Sequence, residues 1–115
     1  MINRAAVIVR YKQPFVEWIN AVDPHAGTKA PKVTLADVNE KNNVYLVEVE
    51  DQEELNKWLE LNYDILFEEE LNGWYTDPAL WPKDRSLDLF KKWCSFELHT
   101  LVFDTGESPL EDDET

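Results

Sequence analysis

Apolar positions along this chain change their spacing several times, and each change marks an element. Ala5, Ala6, Val7, Ile8 and Val9 form an unbroken apolar run that stops at Arg10. Such a run reads as a strand over residues 5–11 with both faces covered; it suits a central place in a sheet, although a strand at the terminus could also be an edge. Pro14 then opens a helix, because its missing N–H costs nothing in a first turn. Phe15, Trp18, Ile19 and Val22 fall on one face of that helix at helical spacing, and Asp23-Pro24 stops it. A loop over 24–33 follows, with His25 in it and expected to face solvent. Thr34 with Asp37 has the form of a capping arrangement for a short helix reaching about Glu40, anchored by Leu35 and Val38.

Asn42-Asn43 reads as a turn into a second strand over 44–49, rich in valine and tyrosine. The connection over 11–43 is long enough for this strand to run parallel to the first, right-handed if so. Asp51 with Glu54 marks the start of the longest helix, about 52–72, and Gly73 is placed to end it in a left-handed conformation. A last helix is predicted over 86–94 with Leu87, Phe90 and Trp93 inward, then a strand over 95–103 that alternates Phe96, Leu98, Thr100, Val102 against Glu97, His99, Leu101, Phe103. The fold class is therefore α/β or α+β: a small three-stranded sheet covered by helices, in the order β-α-(α)-β-α-α-β.

Charge changes this picture in one respect. The 115 residues carry 24 acids against 11 Lys and Arg, a formal net charge of −13, beside five tryptophans and 43% hydrophobic residues. The apolar content supports a folded core. The charge disfavours nucleic acid and anionic membrane surfaces and favours a basic protein partner, or simple solubility. Residues 104–115 hold six acids and no base, which predicts a disordered acidic tail on a single domain of residues 1–103; the body still carries −7. A lone cysteine, Cys94, suits a reducing compartment, and the first apolar run is too short for a secretion signal or a membrane span. A cytoplasmic protein is the expectation, and the sheet edges leave room for a homodimer.

Candidate chemistry is thin. No nucleotide-binding glycine motif, nucleophile elbow or Cys/His metal spacing occurs, and no cofactor is predicted. On a helical wheel of the 52–72 segment, Leu55, Trp58, Leu59, Ile65 and Leu66 form the stripe, and Asn62 and Glu69 fall near its middle. Glu69 is therefore the acid expected to be buried or to face a cleft, with Arg10 and His99 as its partners. Those three groups would serve either a structural network or the site of a small hydrolase or metal-assisted enzyme. Glu97 and His99 share a strand face at i, i+2 and could offer two metal ligands. Cys94, at a helix end, reads as a small buried apolar residue. Trp74, Tyr75, Asp77 and Trp81 lie in a short proline-punctuated segment followed by Lys83 and Arg85. Buried, these aromatics cap the sheet; exposed, they would form a partner-binding patch.

The segments Arg4 to Arg10, Gln13 to Trp18, Phe67 to Asp77, Trp81-Pro82 and Phe96 to His99 resemble those of a small bacterial family of uncharacterised cytosolic acidic proteins. The resemblance covers roughly residues 4–103. That family has no assigned activity, so the resemblance implies no catalytic residue and only directs attention to Arg10, Trp18, Glu69, Trp74, Asp77, Trp81 and His99. An acidic protein-interaction or regulatory domain is the leading functional expectation, with the small enzyme as the alternative.

Overall fold

The computed structural model describes residues 1–22 and 32–112. The expected loop with His25 and the last residues of the acidic tail lie outside the described residues. Three strands and four α-helices alternate as β1 (Ala5–Tyr11), α1 (Gln13–Val22), α2 (Leu35–Val38), β2 (Val44–Val47), α3 (Gln52–Asn72), α4 (Leu87–Trp93) and β3 (Cys94–His99), with a short 3-10 turn at Pro78–Leu80 between α3 and α4. The sheet order is β2-β1-β3, so the first strand sits in the centre.

Both neighbours of β1 run antiparallel to it. A parallel β1–β2 pair, which the long connection allowed, does not form, and Asn39 shows why. Its side chain accepts from the Tyr11 amide at 2.9 Å and donates to the Tyr11 carbonyl at 3.1 Å. The chain has therefore returned to the C-terminal end of β1 before β2 starts, and β2 can only run back along it, with Val44 opposite Ile8 and Val47 opposite Ala5. The same end receives α4. Lys12 donates its amide to the Trp93 carbonyl and its ammonium to the Lys91 carbonyl, both at 2.8 Å. These bonds set Cys94 opposite Tyr11 and send β3 antiparallel as well.

Caps explain most helix starts. Thr34 and Asp37 form the reciprocal capping box of α2, and Asp51 accepts from the Glu54 amide at 2.9 Å at the start of α3. Ser86 caps α4 by accepting from the Leu89 amide. The end of α3 differs from expectation: Gly73 has φ −65° and ψ −22°, which is right-handed, so no left-handed turn is used there. Likewise β2 and β3 are shorter than the periodicity predicted, ending at Val47 and His99, although the Ile2 amide still donates to the Val102 carbonyl at 2.8 Å.

The sheet is covered on one side. Along β1, Ala5, Val7, Val9 and Tyr11 are buried, whereas Ala6 and Ile8 are half-buried and Arg10 is exposed. The expectation of two covered faces fails here. The core lies between the odd-numbered face of β1 and the helices, with Phe15, Leu55, Leu59, Phe67, Leu71 and Phe90 fully or almost fully buried. Phe67 stacks on Phe90 with centroids 4.6 Å apart, and Phe90 meets Phe96 edge-on at 4.9 Å. Each such ring contributes about 2 kcal/mol through burial alone. Residues 104–112 form neither helix nor strand and are exposed. Among the described residues no helix is long and apolar enough to cross a membrane.

Candidate functional site

Two groups of polar side chains stand out, one under the sheet and one on its open face. Under the sheet, the acid sealed in the core is Glu70, not Glu69. Glu70 is 0% exposed, while Glu69 is exposed. At about 100° per residue, counting Trp58 and Ile65 as core centres the α3 stripe near Glu69. The residues buried from α3 are Leu55, Leu59, Leu66, Phe67, Glu70 and Leu71, and Ile65 is 62% exposed. Replacing Trp58 and Ile65 by Phe67 and Leu71 turns the stripe by about 75° and puts its middle on Glu70.

The Glu70 carboxylate is fully bonded by neutral donors. Tyr11 donates its hydroxyl to Oε1; Tyr45 donates its hydroxyl to Oε2, and Asn43 donates its amide to the same oxygen at 2.8 Å. Trp74 Nε1 donates to the Tyr11 oxygen at 3.3 Å and closes the group. Burial raises both phenols well above the ordinary tyrosine range, and the adjacent Glu70 carboxylate raises them further. They therefore stay protonated and act as donors. Burial, and then Glu70, also push the Cys94 thiol up, which fits its place in the core as an unreactive apolar residue. Both tyrosines project from the covered face of the strands, and a buried tyrosine needs a hydroxyl partner. That requirement was the signal in the sequence for an acid on the facing helix.

On the other face, the even-numbered residues of β1 point away from the helices. Arg10 lies 3.4 Å from Glu97 Oε2, and the same oxygen lies 2.7 Å from His99 Nε2. Arg10 also donates to Asn42 at 3.3 Å. The hydrogen bond from His99 and the Arg10 contact hold the Glu97 carboxyl below the usual carboxylate range. Arg10 and His99 are thus brought together, as the sequence reading required, but through Glu97. Glu69 does not join them: α3 packs on the opposite face of the sheet, and Glu69 instead borders a shallow hollow of about 380 Å³ with Ile65, Glu68, Asn72 and Trp81. Glu97 and His99 bind each other, and among the described residues no group of three metal-ligating side chains is assembled.

The aromatic segment is committed inward. Trp74, Tyr75 and Trp81 are half-buried against the core, and only Asp77 of the four expected partner-binding residues is exposed. Their polar atoms are used within the chain: Tyr75 Oη donates to the Ile19 carbonyl and Trp81 Nε1 to the Tyr75 carbonyl, both at 2.7 Å. Asp77 caps the 3-10 turn by accepting from the Ala79 amide, and Trp18 Nε1 donates to the Leu80 carbonyl at 3.0 Å. Arg85 sits 5.5 Å over the Trp81 ring and 3.6 Å from Glu68. This is a clamp on α1, not an open recognition patch.

What the sequence reading missed is the open face itself. The β1–β2 and β1–β3 register sets Leu46, Ala6 and His99 in one row and Val44, Ile8 and Glu97 in the next. Val44 and Leu46 are 56% and 49% exposed. Arg4 and Glu48, 3.4 Å apart, border this apolar strip at one end, and Arg10 with Glu97 at the other. Comparison with family models, with curated proteins and with solved structures gives no match for the chain.

Proposed function

We propose that this chain is a protein-interaction module that docks a partner on the open face of its sheet. The observation that carries the reading is the exposure of Val44 and Leu46 beside Ile8 and Ala6 on a sheet whose other side is filled by helices. A contiguous apolar strip rimmed by charged pairs has the make-up of a binding surface, with an apolar centre and a polar border. The Arg10–Glu97–His99 chain then acts as part of the rim and not as catalytic machinery, since its three groups satisfy one another in the open. The strongly acidic remainder of the surface favours basic partners at a distance and repels nucleic acid.

A photo-crosslinking amino acid placed at Leu46, compared with one at Leu61 on the exposed side of α3, tests this in the cell that makes the protein. A discrete adduct at position 46 that is missing at 61 is the expected result, and its mass separates a different protein from a second copy of this chain. Equal labelling at both positions, or none at 46, refutes the reading.

A further inference from the structure

The open face does not end at its apolar strip. Where β2 runs on past Val47, the chain forms a groove of about 550 Å³ whose lining includes Met1, Ile2, Arg4, Glu48, Glu50 and Glu54. Three glutamates meet one arginine and the Met1 amino terminus there. Arg4 is engaged by Glu48 at 3.4 Å, and Glu54 accepts from the Glu50 amide at 2.9 Å. Among the described residues the Glu50 carboxylate has no cation beside it. The groove is therefore net acidic, while the opposite end of the strip balances Arg10 and His99 against Glu97.

We infer, on the basis of the docking reading above, that the partner element is an amphipathic helix whose apolar ridge lies along Val44, Leu46 and Ile8 and whose one end carries lysine or arginine into the Glu48–Glu50–Glu54 groove. Dimensions favour a helix. From Arg4 to Arg10 the central strand spans about 20 Å, and three strands are about 10–14 Å across. One helix of about 14 residues is about 21 Å long and 10–12 Å wide. It would complete a third layer over a sheet that now has two. Charge and area disfavour a second copy. Two bodies of −13 repel each other, and two such grooves would add acid to acid. The face itself offers a footprint of only a few hundred Å², short of the ~800 Å² per partner of a standard protein–protein interface. A basic-ended helix gains from the field that a second copy would oppose. The polarity of the surface also fixes direction: only one end of the strip attracts a cation.

The test is a selection. A displayed library of 14-residue helix-forming peptides is selected against the full chain and counter-selected against Leu46→Asp. Winners are expected to carry apolar residues at i, i+3 or i+4, and i+7, with Lys or Arg confined to one end. Their affinity should fall about tenfold or more with Leu46→Asp, as for a residue central to an interface, and severalfold with Glu48→Gln/Glu50→Gln. Amide shifts on adding the winning peptide should centre on Ile8, Val44 and Leu46; this reads the site without any variant, and Val44→Asp replaces Leu46→Asp should the latter not fold. Winners that need Leu46 but carry no end cation, and ignore Glu48→Gln/Glu50→Gln, overturn the basic-ended helix while docking on the face stands. Winners indifferent to Leu46→Asp, with shifts elsewhere, overturn the docking reading as well. Sedimentation of the full chain as a dimer that Leu46→Asp dissolves would make the occupant a second copy and overturn the helix.

Discussion

Replacing Glu70 by leucine isolates the worth of the buried acid. The carboxylate is fully enclosed and accepts from Tyr11, Tyr45 and Asn43. In Glu70→Leu the Asn43 amide, on an exposed residue, turns to water, but the buried Tyr11 hydroxyl and the half-buried Tyr45 hydroxyl both lose the acceptor they had in the chain. A stranded buried donor costs about 1–3 kcal/mol, and leucine recovers part of this through apolar contact, so the net loss should be about 2–4 kcal/mol. That is a large fraction of the ~5–15 kcal/mol that holds a domain folded. At a urea slope of about 1.5 kcal/mol per molar, the unfolding midpoint read by tryptophan fluorescence should drop by about 1.3–2.7 M. Removing the donors along with the acceptor reverses much of the damage: Glu70→Leu/Tyr11→Phe/Tyr45→Phe should be more stable than Glu70→Leu alone, by about 1–3 kcal/mol. Glu69→Leu, one residue away but exposed, should change stability by less than about 0.5 kcal/mol. The reasoning is refuted if the triple variant is no more stable than Glu70→Leu, or if the neighbouring substitution costs as much.

Three further outcomes follow from the geometry. Gly73 is right-handed and a Cβ there would meet the Glu70 carbonyl at an ordinary 3.4 Å, so Gly73→Ala should stabilise by about 0.4–1 kcal/mol in the same urea assay. Tyr11 and Tyr45 have folded values raised above the ordinary 10.0, so the stability they confer is complete below pH 10 and is lost as pH rises above it. Absorbance titration at 295 nm should accordingly show a tyrosine component that appears only as the fold is lost, and Tyr11→Phe/Tyr45→Phe should remove it. On the open face, Glu97 titrates below the usual carboxylate range chiefly through His99, so His99→Ala should move its carboxyl carbon titration by NMR upward without loss of fold.

The sequence carried the order of elements and the caps at Thr34 and Asp51, because each rests on local chemistry, and the apolar run of the first strand suited its central place. The candidate site was harder to read. Ile65 is apolar yet exposed and Glu70 is acidic yet buried, so hydrophobicity alone turned the α3 stripe onto the wrong glutamate. The phase could have been fixed by Phe67 and Leu71 at i, i+4, or by asking what Tyr11 and Tyr45 bond to. The open face was illegible for another reason: Ala6, Ile8, Val44 and Leu46 are as apolar as core residues, and nothing in their order says that no helix covers them.

The central place of β1 also governs how the chain comes to be folded. Its longer partner is β3, which joins it only when residues 94–99 exist to pair with 6–11. During synthesis β1 is therefore made about ninety residues before that neighbour, and it waits with one edge unpaired and strand-forming side chains on it. Long-range pairing of this kind slows folding, since a large loop must close before any contact rewards it. A nascent chain arrested before Cys94 should be fully sensitive to protease, and one arrested after His99 has cleared the exit tunnel should become resistant in a single step.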